Sequence, residues 1–294
     1  MINIDGRALN DSKPPFLIAE ISANHKKSLS RALKLVKMAA KAGFDAVKLQ
    51  TYEPDKITLK SKKKDFQIKD KKSIWYKKNL YDLYRKGQTP KIWHKKIFKE
   101  AKKLGLIAFS TPFDLESVRF LKKLKVPCYK ISSFEITYLD LIKECAKTKK
   151  PLIISTGLAK FTEIKKAISE IKKVGNNKII LLKCSSNYPA NPEDINLKTL
   201  LDLKKRFKLD VGLSDHSIGS EVAIASIPYG VKVIEKHVTV NNKDGALDSK
   251  FALPIKEFKN FVNSIKNTHK ALGKIKYGPT KNEKNSLRYR RSIY

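Results

Sequence analysis

Apolar runs in this sequence end, one after another, in residues that chemistry can use. The first run ends in Glu20, Ser22, Asn24 and His25, and the second in Lys48 and Gln50. Ser110 and Thr111 end the third, and Lys130, Ser133 and Glu135 the fourth. Ser155 and Gly157 follow the fifth, and Lys183, Ser186 and Tyr188 the sixth. Ser214, Asp215 and His216 close the seventh, and Glu235, Lys236 and His237 the eighth. Side chains of these types seldom enter a core unless paired. One alone would be a satisfied core group. A whole series in register needs a common cause, and an active site supplies it. Lys48, Lys130 and Lys183 bring positive charge from three runs, while Thr111, Ser133, Ser155 and Ser214 bring hydroxyl donors. That set suits a ligand carrying a phosphate and a carboxylate. The bland reading of any one lysine is a snorkelling surface residue. It fits least where lysine interrupts an apolar strand, as Lys48 does.

His216 and His237 close consecutive runs, so their rings can converge on one metal ion. Neutral imidazole suits Mn²⁺, Zn²⁺, Co²⁺ and Fe²⁺. With no cysteine at ligand spacing, two histidines imply an open, catalytic site. The alternative is a hydrogen-bonded pair of core histidines. His94 and His269 fall in helical segments and read as structural. Glu20, Glu135, Asp215 and Asp248 are acid–base candidates, or carboxylates that orient a lysine or histidine.

These residues need a scaffold that brings run ends together. Strand patterns cover 16–21, 46–50, 106–110, 128–132, 152–155, 179–184, 210–213 and 231–238. Helical periods cover 29–42, 90–104, 115–124, 138–147, 162–174, 197–207, 220–229 and 255–272. The strand runs are continuously apolar, as when both faces are covered. Regular alternation over 16–275 predicts a parallel α/β sheet closed as a (β/α)₈ TIM barrel, with its chemistry at the C-terminal strand ends. An open doubly wound sheet would carry a Gly-rich phosphate turn after its first strand, and no GxGxxG stands there. Thr89-Pro90 reads as an N-cap followed by an N1 proline. Gly43, Gly105 and Gly175 stand where left-handed caps are wanted. The connection 51–88 is far longer than a βα loop needs and reads as a lid or an oligomer contact. Residues 1–15 read as an extension capping the barrel, and 276–294 as a basic tail or linker.

Composition sets the remaining bounds. The 294 residues include 63 Lys+Arg against 28 Asp+Glu, a net charge of +35. A nucleic-acid binder would look like this. Yet the lysines spread over every segment, mostly on polar helix faces, and no basic platform is interleaved with aromatics. A lysine-rich genome accounts for them better, and the field still attracts anionic substrates. The run 60–72 reads as a solvated insertion. No apolar run reaches membrane-spanning length, the N-terminus has no signal layout, and the 3 cysteines form no CxxC pair. A cytoplasmic protein is expected.

Several strings resemble the sialic acid synthase family. They are Ala-Glu-Ile-Ser-Ala-Asn-His at 19–25, Lys-Leu-Gln-Thr-Tyr at 48–52, Phe-Ser-Thr-Pro-Phe at 109–113, and Tyr-Lys-Ile-Ser-Ser-Phe-Glu at 129–135. With them go Ile-Ser-Thr-Gly at 154–157, Leu-Lys-Cys-Ser-Ser-Asn-Tyr-Pro at 182–189, Gly-Leu-Ser-Asp-His at 212–216 and Ile-Glu-Lys-His at 234–237. The first and fourth of these, with Tyr-Gly-Pro-Thr at 277–280, favour the pseudaminic acid synthases within that family. The resemblance implies condensation of phosphoenolpyruvate with an amino-sugar aldehyde, a 2,4-diacetamido-2,4,6-trideoxy hexose, releasing phosphate by C–O cleavage. N-acetylneuraminate or legionaminate synthesis is the near alternative, and a non-catalytic barrel subunit the far one. By the same resemblance Lys48, Thr111, Lys130, Ser133, Ser155, Ser186, Tyr188 and Ser214 hold phosphoenolpyruvate. Ser186 departs from an asparagine of the neuraminate enzymes. His216 and His237 would bind Mn²⁺, with Mg²⁺ or Co²⁺ as alternatives. Glu20, Gln50 and Asp248 would lie near the sugar or a metal-bound water, and Glu135 would be the acid–base carboxylate. A homodimer is implied. The family continues past a string like Arg-Arg-Ser-Ile-Tyr at 290–294 into an antifreeze-like domain that caps the partner's site. A longer full protein, a truncated gene or a separate chain supplying that cap are the expectations, and weaker substrate binding by a barrel without it follows.

Overall fold

Eight strands carry the apolar runs. In the computed structural model, which describes residues 1–291, they are β1 (Phe16–Glu20), β2 (Ala46–Thr51), β3 (Ile107–Pro112), β4 (Tyr129–Ile131), β5 (Leu152–Ser155), β6 (Ile179–Cys184), β7 (Asp210–Asp215) and β8 (Val233–Thr239). Each pairs in parallel with the next, and β8 pairs with both β7 and β1, so the eight strands close into a barrel, with the two-residue strand Leu253–Pro254 added beside the end of β8. The chain is a (β/α)₈ TIM barrel. Phe16, Leu17 and Ile18 are all fully buried, which is why the strand runs do not alternate in hydropathy.

The outer layer is α1 (Leu29–Ala42), α2 (Lys91–Lys103), α3 (Leu115–Lys123), α4 (Leu139–Lys147), α5 (Phe161–Lys173), α6 (Thr199–Phe207), α7 (Glu221–Ser226) and α8 (Phe258–Leu272). Helix α1 buries Ala32, Leu35, Val36 and Ala39, one face at helical spacing. Ser28 caps it by accepting from the Arg31 N–H, and Asp114 caps α3 through the Ser117 N–H at 2.7 Å. Gly43, Gly105 and Gly175 adopt φ of 90°, 75° and 69°, the left-handed turn from helix into strand. The Thr89-Pro90 expectation is corrected. Pro90, at φ −56° and ψ 132°, is itself the N-cap of α2. The Thr89 hydroxyl is committed instead to His25 Nε2 at 3.1 Å.

Two further two-residue strands, Asn3–Ile4 and Arg7–Ala8, form a short antiparallel hairpin ahead of the barrel. It buries Ile4 in the core and ties Arg7 to Asp45, just before β2. The insertion 52–88 contains two short helices, Pro54–Ile57 and Leu80–Gly87, and exposes its lysine run. Residues 271–291 are exposed, and 292–294, the end of the Arg-Arg-Ser-Ile-Tyr string, lie outside the described residues. Among the described residues no helix is long and apolar enough to cross a membrane.

Candidate active site

Register fixes which side chains meet. Glu20 stands opposite Lys48 across β1–β2 and opposite His237 across β8–β1. Ser214 stands opposite Glu235 and Cys184. Paired residues share a face, so all of these point into the barrel mouth.

The floor of the mouth is a chain of buried charges. Lys48 pairs with Glu20, donates to Thr111 Oγ1 at 2.8 Å and lies 3.7 Å from Glu235 Oε2. Glu235 Oε1 is 3.5 Å from Lys130 Nζ and accepts from Ser214 Oγ at 3.1 Å. Lys130 donates to Ser155 Oγ at 2.7 Å. Burial pushes the Glu20 carboxyl up to about 7, against the pull of Lys48, and the charge of Glu235 adds to the rise. Burial pulls Lys48 down, but Glu20 and Glu235 outweigh it and hold the ammonium above its ordinary value. For Lys130 burial wins over Glu235, and the shift is downward. Glu235 stays below the usual carboxylate value despite its burial, because Lys130 and Lys48 flank it. Beyond these ion pairs, the Glu20 oxygens and Glu235 Oε2 are buried without a hydrogen-bond donor.

A second group of polar atoms surrounds Gly157. Ser133 Oγ lies 3.5 Å from Cys184 Sγ. A methyl group added at Gly157 would sit 2.5 Å from Ser186 Oγ and 2.7 Å from Ser133 Oγ, so the glycine leaves these hydroxyls their room. Ser186 Oγ is buried and has no partner among the described residues, which leaves it available to a ligand. Glu135 ends a 3-10 turn (Ser133–Glu135) and accepts from the Ser132 hydroxyl. Burial raises its carboxyl, with Ser132 and Lys130 opposing. Gln50 sits half-buried two residues beyond Lys48 on β2.

The imidazoles form the third group. The His216 and His237 ring centroids are 5.2 Å apart. His216 Nδ1 donates to the Ser185 carbonyl at 2.7 Å, so Nε2 is the nitrogen left to face a ligand. Burial opposes the charged ring, but the Cys184 sulfur and that carbonyl outweigh it and raise the imidazole above its ordinary value. Burial drives His237 well below the ordinary imidazole range, keeping it in the neutral form that binds metals. Its Nδ1 is buried without a hydrogen bond, 3.8 Å from Asp248 Oδ2. Asp248 is held by the Ser22 hydroxyl and, at 3.2 Å, by its own N–H on Asn24 Oδ1. Among the described residues no three His, Cys, Asp or Glu side chains are grouped to hold a metal. The two imidazoles, one with an orphaned nitrogen, therefore fit an ion that takes its other ligands from water or substrate. Tyr188 covers His216 at 4.4 Å between ring centroids, and Phe251 covers His237 at 5.0 Å.

Glu20, Lys48, Thr111, Lys130, Ser155 and Ser214 are thus linked through one floor, with one correction among the lysines. Cys184 faces inward, so its neighbour Lys183 faces outward, half-buried, and donates to the Cys184 carbonyl at 3.2 Å. The floor holds two ammonium groups, not three. Asp215 is likewise spent, on Lys236 at 2.7 Å and Ser217 at 2.6 Å. Glu235, by contrast, is the centre of the floor, although the sequence offered it only as one member of a string.

Known proteins resemble this chain over most of its length. A model of the NeuB family matches residues 35–277. The pseudaminic acid synthase of Campylobacter jejuni (serotype O:2) is 43% identical over 285 residues, 97% of this chain and 82% of that protein. That of Helicobacter pylori is 44% identical over 261 residues, covering 89% and 76%. An N,N'-diacetyllegionaminic acid synthase of Campylobacter jejuni is 37% identical, covering 96% and 84%. The solved N-acetylneuraminic acid synthetase of Leptospira borgpetersenii, in complex with citrate, superposes with a TM-score of 0.85 at 29% identity, covering 99% of this chain and 96% of that one. The barrel, its strand-end strings and these relatives lead to one assignment: the chain belongs to the NeuB family, that of the sialic acid synthases.

Proposed function

We propose that the chain condenses phosphoenolpyruvate with an open-chain amino-sugar aldehyde, a 2,4-diacetamido-2,4,6-trideoxy hexose, giving pseudaminic acid and phosphate. The observation that carries this reading is the buried pair Lys48 and Lys130 within one mouth, ringed by Thr111, Ser133, Ser155, Ser186 and Ser214. Ammonium groups and hydroxyls in that array match a ligand with a phosphate and a carboxylate. Tyr188 walls the same space. Carbon 3 of phosphoenolpyruvate forms the new bond to the aldehyde carbon, whose oxygen takes a proton. Water adds at carbon 2 and gives up its protons as the C2–O bond breaks and phosphate leaves. His216 and His237 would hold a divalent ion, Mn²⁺ in this reading, which supplies a Lewis acid for the aldehyde oxygen. Glu135, raised by burial, is assigned the proton transfers. Glu20, Gln50 and Asp248 are assigned to the acceptor side. The reading includes a cytoplasmic homodimer whose mouth an antifreeze-like domain covers, on the resemblance to the family.

The test is phosphate release that requires both the acceptor and Mn²⁺, with the bridging oxygen of labelled phosphoenolpyruvate recovered in phosphate. His216→Ala and His237→Ala are each expected to abolish it. Full turnover in both variants would reject the metal assignment, and phosphate release without an acceptor would reject the condensation. The 37% identity to a legionaminic acid synthase supports a second reading, in which a stereoisomeric acceptor is the better substrate. Assaying both isomers separates the two.

A further inference from the structure

The insertion after β2 delivers an aromatic side chain to the imidazole side of the mouth. Trp75, half-buried, lies 5.5 Å from the Tyr188 ring and 6.4 Å from the Phe251 ring, centroid to centroid. Tyr188 and Phe251 flank His216 and His237 in turn. Three segments far apart in sequence thus build one aromatic wall: the insertion, the β6–α6 loop and the β8–α8 loop. The floor lysines take the anionic substrate, so the wall stands where the acceptor must enter. On the Trp75 and Phe251 faces the polarity is already spent or missing. The Trp75 indole N–H donates to the Leu247 carbonyl at 2.9 Å, and Phe251 has no polar side-chain atom. A hydroxyl placed against Trp75 and Phe251 gives up water and gains no partner, whereas a methyl group gains contact.

We propose that Trp75 is a specificity-determining residue: it selects acceptor aldehydes that present a deoxy carbon over acceptors that present a hydroxyl there. The proposal rests on the condensation reading above. A residue that only latched the insertion to Leu247 would support both acceptor types equally.

The experiment compares kcat/KM for the 2,4-diacetamido-2,4,6-trideoxy hexose with that for the same sugar bearing a hydroxyl at carbon 6. The wild-type enzyme is expected to favour the deoxy acceptor. Trp75→Gln, which offers the hydroxyl a partner, is expected to lower that preference by between about tenfold and about a hundredfold. The KM for phosphoenolpyruvate should stay within about twofold, since the floor is untouched. Trp75→Phe should restore most of the preference, and Trp75→Ala, which removes the methyl contact, reads the same ratio where the Gln variant does not fold. An unmoved ratio, with both acceptors falling together, overturns the proposal and leaves the condensation standing. Wild-type turnover with neither acceptor overturns both.

Discussion

Glu235 shows how much one carboxylate can organise. It sits between Lys48 and Lys130, each within 4 Å, and receives the Ser214 hydroxyl. Without it the two ammonium groups face each other in a buried space. Glu235→Gln is therefore expected to cost about 3–5 kcal/mol of stability, the usual loss when a buried pair is broken from one side. Inorganic phosphate can stand in for the missing charge, so it should raise Tm more in the variant than in the wild type. Urea unfolding and thermal melts with and without phosphate read both effects, and an unchanged unfolding midpoint would refute the role. Gly157 is the second single-residue case. Its added methyl would press on Ser133 and Ser186 at less than 3 Å. Gly157→Ala should raise the KM for phosphoenolpyruvate about tenfold or more while the barrel still folds, by the misplacement argument for positioned groups. A KM within twofold of wild type would place those hydroxyls outside the substrate site. Both residues were visible in the sequence, at the ends of apolar runs, but their importance was not. Strand alternation held more than was taken from it. It puts Glu235 and His237 on one face with Lys236 on the other, and it separates Lys183 from Cys184. Applied to every run, it would have left two lysines in the mouth and added Glu235.

At the scale of elements, the strands and helices were legible because each pattern had a local cause: continuous apolar runs, helical periods, and left-handed glycines between helix and strand. Where a tertiary partner decided the matter, the reading failed. Thr89 looked like a cap, yet its hydroxyl goes to His25, more than 60 residues away in sequence. Trp75 could not be placed at all, since nothing periodic in 51–88 tells where the insertion folds back. Two elements offer tests. On β7, Gly212 lies so close to β8 that an added methyl would meet the Val233 carbonyl at 2.4 Å and Leu182 at 2.6 Å. Gly212→Ala should destabilise by about 2–3 kcal/mol, the range for forcing atoms into a packed wall, and chemical denaturation reads it. The 3-10 turn after β1 (Ser22–His25) offers the other. His25 Nδ1 accepts from the Lys27 N–H at 3.0 Å, so a proton there would destroy that bond. Burial accordingly depresses the ring to about 4, below its ordinary value of 6.5. The unfolded chain then takes up a proton that the folded one refuses. This contribution is complete above pH 6.5 and is lost as the pH falls from there towards 4, by at most about 3 kcal/mol. His25→Gln should flatten that limb of the stability profile between pH 7.5 and pH 5. A variant whose stability falls as steeply as wild type's would show that His25 titrates normally.

For the whole molecule the question is what a net charge of +35 does for a site whose floor is nearly neutral. Lys48 and Lys130 are matched by Glu20 and Glu235, so the floor supplies contacts to an anion more than a field. The attraction at a distance must come from the many lysines outside the mouth. The run at 60–72 is one source, lying exposed on the insertion whose Trp75 packs against Tyr188. Such a field is long-ranged and screened by salt, whereas buried contacts are screened far less. The two substrates should then respond differently. The kcat/KM for phosphoenolpyruvate, a multiply charged anion, is expected to fall about tenfold between low salt and about 0.3 M, where the screening length is only several ångströms. The kcat/KM for the uncharged acceptor and kcat itself should stay nearly flat, because neither depends on drawing in an anion. Steady-state kinetics with each substrate varied in turn, at constant pH and Mn²⁺, measures all three. A fall shared equally by both substrates would mean that salt acts on the fold or the metal, and that the lysine surface is a product of composition without a part in substrate capture.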